Sequence, residues 1–192
     1  MNRHLTLSLI VTVAGLMLIG VMALFVLSPE RSSTDAIGGA FTLTDHRGAR
    51  VTEAALKGHP SLVFFGFTHC PDVCPTALFE ISEIYKALGP QGDQLKTFFI
   101  TVDPERDQPA TLKTYLESFD PRITGLTGTR EEVDIATRAY RAFARKVPLD
   151  GGGYVMDHTA IVYLMDKKGR FVSSMNFDRP PEENVKRITD LF

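Results

Sequence analysis

Apolar positions follow three patterns along this chain, and each predicts a different element. The first is an unbroken stretch. Residues 5–28 carry no charge and include Leu7, Ile10, Val13, Leu16, Leu18, Val21, Leu24, Phe25 and Leu27. As a helix these residues would measure roughly 36 Å at about 1.5 Å per residue, enough for a hydrocarbon core of about 30 Å. A cleaved signal peptide would have a shorter apolar stretch, about 7–15 residues, and an A-x-A-like cleavage site. No such site is visible, so the expectation is one transmembrane helix, with residues 1–28 as the membrane anchor. Residues 29–40 (PERSSTDAIGGA) are small, polar and Gly-containing and read as a linker. The folded domain is expected over residues 41–192.

In that domain, short alternating runs flank Asp45-His46-Arg47-Gly48 and predict a hairpin formed by residues 41–44 and 49–52. Residues 53–57 suggest one helical turn. Three continuous apolar runs, residues 62–67, 98–102 and 160–165, suit strands covered on both faces. Leu78, Ile81, Ile84, Tyr85 and Leu88 recur at helical spacing, which predicts a helix over residues 75–88 with Pro75 in the first position. Further helices are expected over residues 112–119, with Asp107 as cap, and over residues 182–191. Thr129 and Glu132 form a capping-box pattern for a helix reaching about residue 144. Gly151-Gly152-Gly153 marks a loop, and residues 171–173 a last strand. Strands alternating with helices argue an α/β sandwich.

Charge excludes one class of partner. The formal net charge is −2 and no Lys/Arg block occurs, so nucleic-acid binding has no electrostatic support. Without residues 1–28 the balance is 20 basic to 23 acidic side chains, because only Arg3 is lost. Arg3 precedes the apolar stretch and favours an inside N-terminus. The expectation is a single-pass protein of the bacterial inner membrane with its folded domain in the periplasm.

The two cysteines lie four positions apart, too close to staple much chain, so their role is chemical. Cys70-Pro71-Asp72-Val73-Cys74-Pro75 follows one predicted strand and precedes a predicted helix, the crevice where α/β sheets place ligand and redox sites. A helix N-terminus there favours thiolate. Two thiolates under-coordinate a protein-bound metal, so a third ligand must come from elsewhere. Of the five histidines, His4 begins the anchor, while His46 and His59 read as solvated loop residues. His69 adjoins Cys70 and would point away from it. His158, in Asp157-His158-Thr159 before an apolar strand, stands where thioredoxin-like chains carry a proline that abuts the active-site cysteines. By that analogy it would reach both sulfurs. Two thiolates and an imidazole suit Cu(I). Zinc is the rival, but a structural zinc site usually takes four protein ligands. Asp72 and Asp157 could complete a Cu(II) site or orient His158 from behind, and turn chemistry is the other reading for Asp72.

At these residues the chain resembles the Sco/SenC family of copper chaperones. The resemblance is carried by Phe65-Gly66-Phe67-Thr68-His69-Cys70-Pro71-Asp72-Val73-Cys74-Pro75, by Thr101-Val102-Asp103-Pro104-Glu105-Arg106-Asp107, by Gly125-Leu126-Thr127-Gly128-Thr129 and by Asp157-His158-Thr159. It implies a thioredoxin-like fold with an N-terminal hairpin extension behind a membrane anchor. It also implies copper held by Cys70, Cys74 and His158, as Cu(I) and also as Cu(II). The implied role is maturation of the binuclear copper site of cytochrome c oxidase subunit II, with room for an upstream copper donor and a thiol reductant as further partners. For residues 103–107 the sequence offers only turn-and-cap chemistry.

Two other functions use the same cysteines. A peroxiredoxin would have Thr or Ser three residues before its reactive cysteine; here Phe67 and Pro71 occupy those places. A thiol–disulfide oxidoreductase acting on extracytoplasmic protein thiols remains open, because a close dithiol can form a disulfide, although the chain lacks the Trp and the two-residue spacing of W-C-x-x-C. A binding module without catalysis is the third reading.

Overall fold

The computed structural model describes residues 37–192 apart from 176, 179 and 180, together with Gly15, Met17 and Met22. The chain divides into two compact units, Met1–Ser33 and Thr34–Phe192. The membrane span expected over residues 5–28 otherwise lies outside the described residues, among which no helix is long and apolar enough to cross a membrane.

The described strands are β1 (Thr42–Asp45), β2 (Arg50–Thr52), β3 (Ser61–Gly66), β4 (Lys96–Thr101), β5 (Ile123–Thr127), β6 (Ala144–Pro148), β7 (Tyr154–His158), β8 (Val162–Met165) and β9 (Phe171–Met175). The α-helices are α1 (Val73–Leu88), α2 (Pro109–Leu116), α3 (Arg130–Ala139) and α4 (Pro181–Thr189), with short 3-10 turns at Glu53–Leu56 and Gly89–Gln94. Seven strands form one sheet in the order β2-β1-β5-β4-β3-β8-β9, while β6 and β7 pair only with each other. β3, β4 and β5 run parallel because α1 and α2 carry the chain back between them; the flanking strands are antiparallel.

The apolar run in β3 has the burial its pattern predicts. Leu62, Val63, Phe64 and Phe65 are all fully buried at the middle of the sheet. Alternation sends them to two faces. On one face Phe64 packs against Phe99 of β4, which meets Tyr115 of α2, while Thr97, two residues from Phe99, hydrogen-bonds Tyr85 of α1 at 2.9 Å. On the other, Phe65 packs against Tyr140, just past α3, and against Tyr163 of β8. Gly125 in β5 lets α2 lie close, since a Cβ there would stand 2.7 Å from Leu116 Cδ1.

The predicted hairpin is present as β1 and β2, but it is no free extension: β1 also pairs with β5. His46 is part of that junction rather than solvated. Its N–H donates to the Gly125 carbonyl at 2.9 Å, and its Nδ1 accepts from the Gly125 N–H at 3.0 Å. Two strand sets escaped the sequence reading. β5 (ITGLT) is short and broken by Gly, and the β6–β7 hairpin (ARKVP and YVMDH) interrupts its apolar residues with Arg145, Lys146 and Asp157. α1 begins two residues before Pro75, and α2 begins at Pro109 after Gln108, so Asp107 caps no helix. α3 ends at Ala139, not near residue 144, because Arg141 takes a positive φ of 52° and β6 starts at Ala144.

The capping box at α3 forms as expected. Thr129 Oγ1 accepts from the Glu132 N–H at 3.3 Å and the Thr129 N–H donates to Glu132 Oε2 at 2.9 Å. Thr129→Ala removes one side of this exchange and is expected to lower stability by about 1 kcal/mol in urea unfolding. Metal binding by the variant should be unchanged, since α3 supplies no residue to the cluster of Cys70, Cys74 and His158.

Candidate metal centre

β3 stops at Gly66, and the next residues turn into α1 with both cysteines at that junction. The Cys70 N–H donates to the Phe67 carbonyl at 3.2 Å, which closes the turn. A helix start leaves its first N–H groups without intrahelical partners. Asp72 occupies the cap position of α1, yet its side chain makes no cap hydrogen bond. Cys70 Sγ takes that place, accepting from the Cys74 N–H at 3.4 Å. Pro75 has no N–H to satisfy, so a proline costs nothing so near the helix start. The turn that brings the sulfurs together is thus partly held by one of them.

His158 arrives from the end of β7. Its Nε2 lies 3.5 Å from Cys74 Sγ, and its Nδ1 lies 3.1 Å from the Thr159 carbonyl. The carbonyl can only accept, so Nδ1 carries the proton and Nε2 keeps its lone pair toward the sulfurs. The ring stands edge-on to Phe67 with centroids 5.6 Å apart. The ligand atoms of Cys70, Cys74 and His158 all lie within 4.8 Å of one another, and among the described residues these three form the one such group of metal-ligating side chains.

Burial favours the uncharged forms of Cys74 and His158. Burial pushes the Cys74 thiol well above its ordinary range and outweighs the helix N-terminus that was expected to favour thiolate. Burial also lowers the pKa of His158, which keeps the imidazole neutral at pH 7. Neither side chain requires a counter-charge.

The other predicted residues fall outside the cluster. Asp72 is exposed. Asp157 alternates to the opposite side of β7 from His158 and pairs with Arg145 at 3.2 Å. The carbonyl of Thr159, rather than Asp157, makes the hydrogen bond that orients the imidazole. His59 is exposed, and His69 points to Thr68 Oγ1 at 3.0 Å and out to solvent. Asp103, which the sequence left as a turn residue, and Asp107, which it expected to cap a helix, are fully buried, and Asp107 accepts from the Thr68 N–H two residues before Cys70. Their signal was position: polar residues immediately after the buried run of β4.

A family model for SCO1/SenC matches residues 29–192. The chain belongs to the SCO1/SenC family. A SCO2-like protein of Rickettsia felis is 37% identical over 182 residues, covering 87% of this chain and 89% of the relative. Copper-bound ScoI of Bradyrhizobium japonicum is 55% identical with a TM-score of 0.79, over 82% of this chain and 100% of that one. Copper-bound yeast Sco1 is 40% identical with a TM-score of 0.74, over 81% and 87%. The thioredoxin-like α/β fold of the family is therefore the fold of this SCO1/SenC domain.

Gly66 has a specific part in this member of the family. A Cβ at that position would stand 2.8 Å from Cys74 Sγ and 2.6 Å from Phe99 Cε2. Phe99 is locked in the core, so the sulfur would have to move. Gly66→Ala is expected to cost about 1–3 kcal/mol as an overpacked site, measured by urea unfolding. It should also raise the alkylation rate of Cys74 in the folded, reduced protein by displacing its sulfur.

Proposed function

We propose that this chain is a membrane-anchored copper metallochaperone, with copper as its cargo, that helps mature the binuclear copper site of cytochrome c oxidase subunit II. The observation that carries the reading is the convergence of two cysteine sulfurs and a neutral imidazole nitrogen within 4.8 Å, without a fourth His, Cys or carboxylate among the described residues. Three soft ligands suit Cu(I), whereas a structural zinc site would usually take a fourth protein ligand. The copper-bound relatives support the same assignment. The uncharged stretch over residues 5–28 supports an anchor, with the domain facing the periplasm of a bacterium. A tether raises the effective concentration of the site near a membrane-bound acceptor.

A second reading rests on the free thiols of Cys70 and Cys74. Reduction of a disulfide in the acceptor would oxidise this pair to its own disulfide, two electrons and two protons passing to the acceptor. An external thiol reductant would then have to restore it. The two readings share a site, and copper binding excludes the disulfide, because copper needs thiolates.

Titration of the reduced protein with Cu(I) against a competing chelator should give one ion per chain. Cys70→Ser, Cys74→Ser and His158→Ala should each weaken binding sharply, while His59→Ala and His69→Ala should not. The apparent affinity should rise with pH through neutrality, by about tenfold per unit for each thiol proton displaced. Burial raises the Cys74 pKa, so protons compete there until alkaline pH, while the lowered pKa of His158 removes imidazole protonation from that range. Full affinity in His158→Ala would refute the ligand set.

Deleting the gene should lower the activity of oxidases that carry the two-cysteine copper site of subunit II and spare quinol oxidases that lack it. Respiration assays at low copper measure this. Rescue by added copper supports delivery; better rescue by added thiol supports the reductive role.

A further inference from the structure

The hairpin of β6 and β7 delivers His158 but pairs with no strand of the main sheet. Something else must hold the imidazole at the sulfurs. Residues 103–107 close a turn in which the N–H groups of Arg106 and Asp107 both donate to the Asp103 carbonyl, at 3.2 and 2.9 Å. The two carboxylates of this turn are fully buried and reach in different directions. Asp107 Oδ1 accepts from Thr68 Oγ1 at 2.6 Å, while its Oδ2 accepts from the Thr68 N–H at 3.0 Å and from Thr101 Oγ1 at 2.6 Å. Thr68 lies two residues before Cys70. Asp103 Oδ1 accepts from the Tyr154 hydroxyl at 2.8 Å, and its Oδ2 accepts from Arg106 Nε.

Arg106 extends this link to the hairpin. Its guanidinium lies 3.9 Å from the Tyr154 ring centroid, and its Nη1 donates to the Tyr154 carbonyl at 3.1 Å. It also lies 5.9 Å from the ring of Phe67, which packs edge-on against His158. Lys146 of β6 adds an ion pair to Glu105 of the same turn at 3.2 Å. Burying carboxylates is expensive unless they are fully hydrogen-bonded. A turn that merely connected β4 to α2 would have no use for two of them.

We propose that the 103–107 turn is the positioning element of the metal centre: Asp107 fixes the approach to Cys70, and Asp103 with Arg106 latches Tyr154 and hence the strand that ends in His158. One rigid turn thereby sets the distance between the cysteine loop and the histidine arm. Opening the latch would withdraw His158 and leave two sulfurs in place. The inference deepens the copper reading and rests on it for the affinity readout only.

The test compares Arg106→Gln and Asp107→Asn with the unaltered full chain. In reduced, metal-free protein, hydrogen–deuterium exchange by mass spectrometry should quicken over residues 154–158 in Arg106→Gln and stay unchanged over residues 68–74. Asp107→Asn should show the reverse. Each variant should bind Cu(I) about tenfold more weakly, as substitutions behind a metal ligand usually do. The Cu(II) electron paramagnetic resonance spectrum of Arg106→Gln should shift toward that of His158→Ala. Uniformly faster exchange across the domain would reduce the turn to general stability and overturn the proposal, as would unchanged exchange over residues 154–158. Should Arg106→Gln fail to fold, Tyr154→Phe, which removes one hydroxyl, decides by the same readouts. If the unaltered chain takes no Cu(I) but the segmental exchange pattern appears, the copper reading fails and the latch stands.

Discussion

A strand buried on both faces can carry chemistry only where it ends, and this constraint organises the rest of the molecule. All six residues of β3 are buried, with Phe64 packed above against Phe99 and Phe65 below against Tyr140 and Tyr163. Burial of each large apolar side chain contributes about 1.5–3 kcal/mol, so no position within the strand is free for a ligand. The end at Gly66 is free on both counts. It has no side chain to pack, and the helix that follows has unpaired N–H groups. Cys74 fills the space a Cβ would occupy, and Cys70 accepts one of those N–H groups. The sulfurs are placed by the same packing that makes the sheet.

The centre is electrically quiet, and its surroundings are not. Cys74 and His158 are held neutral by burial, while Asp103 and Asp107 lie fully buried a few residues away. Their carboxylates accept from the hydroxyls of Thr68, Thr101 and Tyr154, from the Thr68 N–H and from Arg106, so each is hydrogen-bonded away from the sulfurs. This division suits a site that loads and unloads. Metal entry exchanges thiol protons for a cation without breaking any structural ion pair, and the three ligand side chains belong to two pieces, the 67–74 junction and the β6–β7 hairpin.

Much of this was legible in the chain itself. The apolar runs of β3, β4 and β8, the helical spacing of Leu78, Ile81, Ile84 and Leu88, and the Thr129–Glu132 capping box are local signals set by burial and by hydrogen bonding within a few residues. Cys70 and Cys74 announced themselves by spacing, and His158 by a resemblance. β5 and the β6–β7 hairpin were not legible, because ITGLT has neither alternation nor length and the hairpin is polar on both edges. β5 takes its pairing from β1 and β4, far away in sequence, while β6 and β7 find each other only across the Gly151–Gly153 loop.

The sequence by itself determined which segments must be buried, that α3 begins after Thr129, and which soft side chains are available for a metal. Those properties follow from side-chain chemistry at fixed local periods. Only the tertiary structure decided that His46 joins a hairpin to β5, that Asp157 turns away to Arg145, and that Asp107 leaves the helix start to hold Thr68. It also decided the protonation of the Cys74 sulfur: a helix N-terminus read locally favours thiolate, but the desolvation of Cys74 is imposed by Gly66, Phe99 and the packed sheet. A charge feels everything within several ångströms, and along a chain most of those neighbours are distant residues.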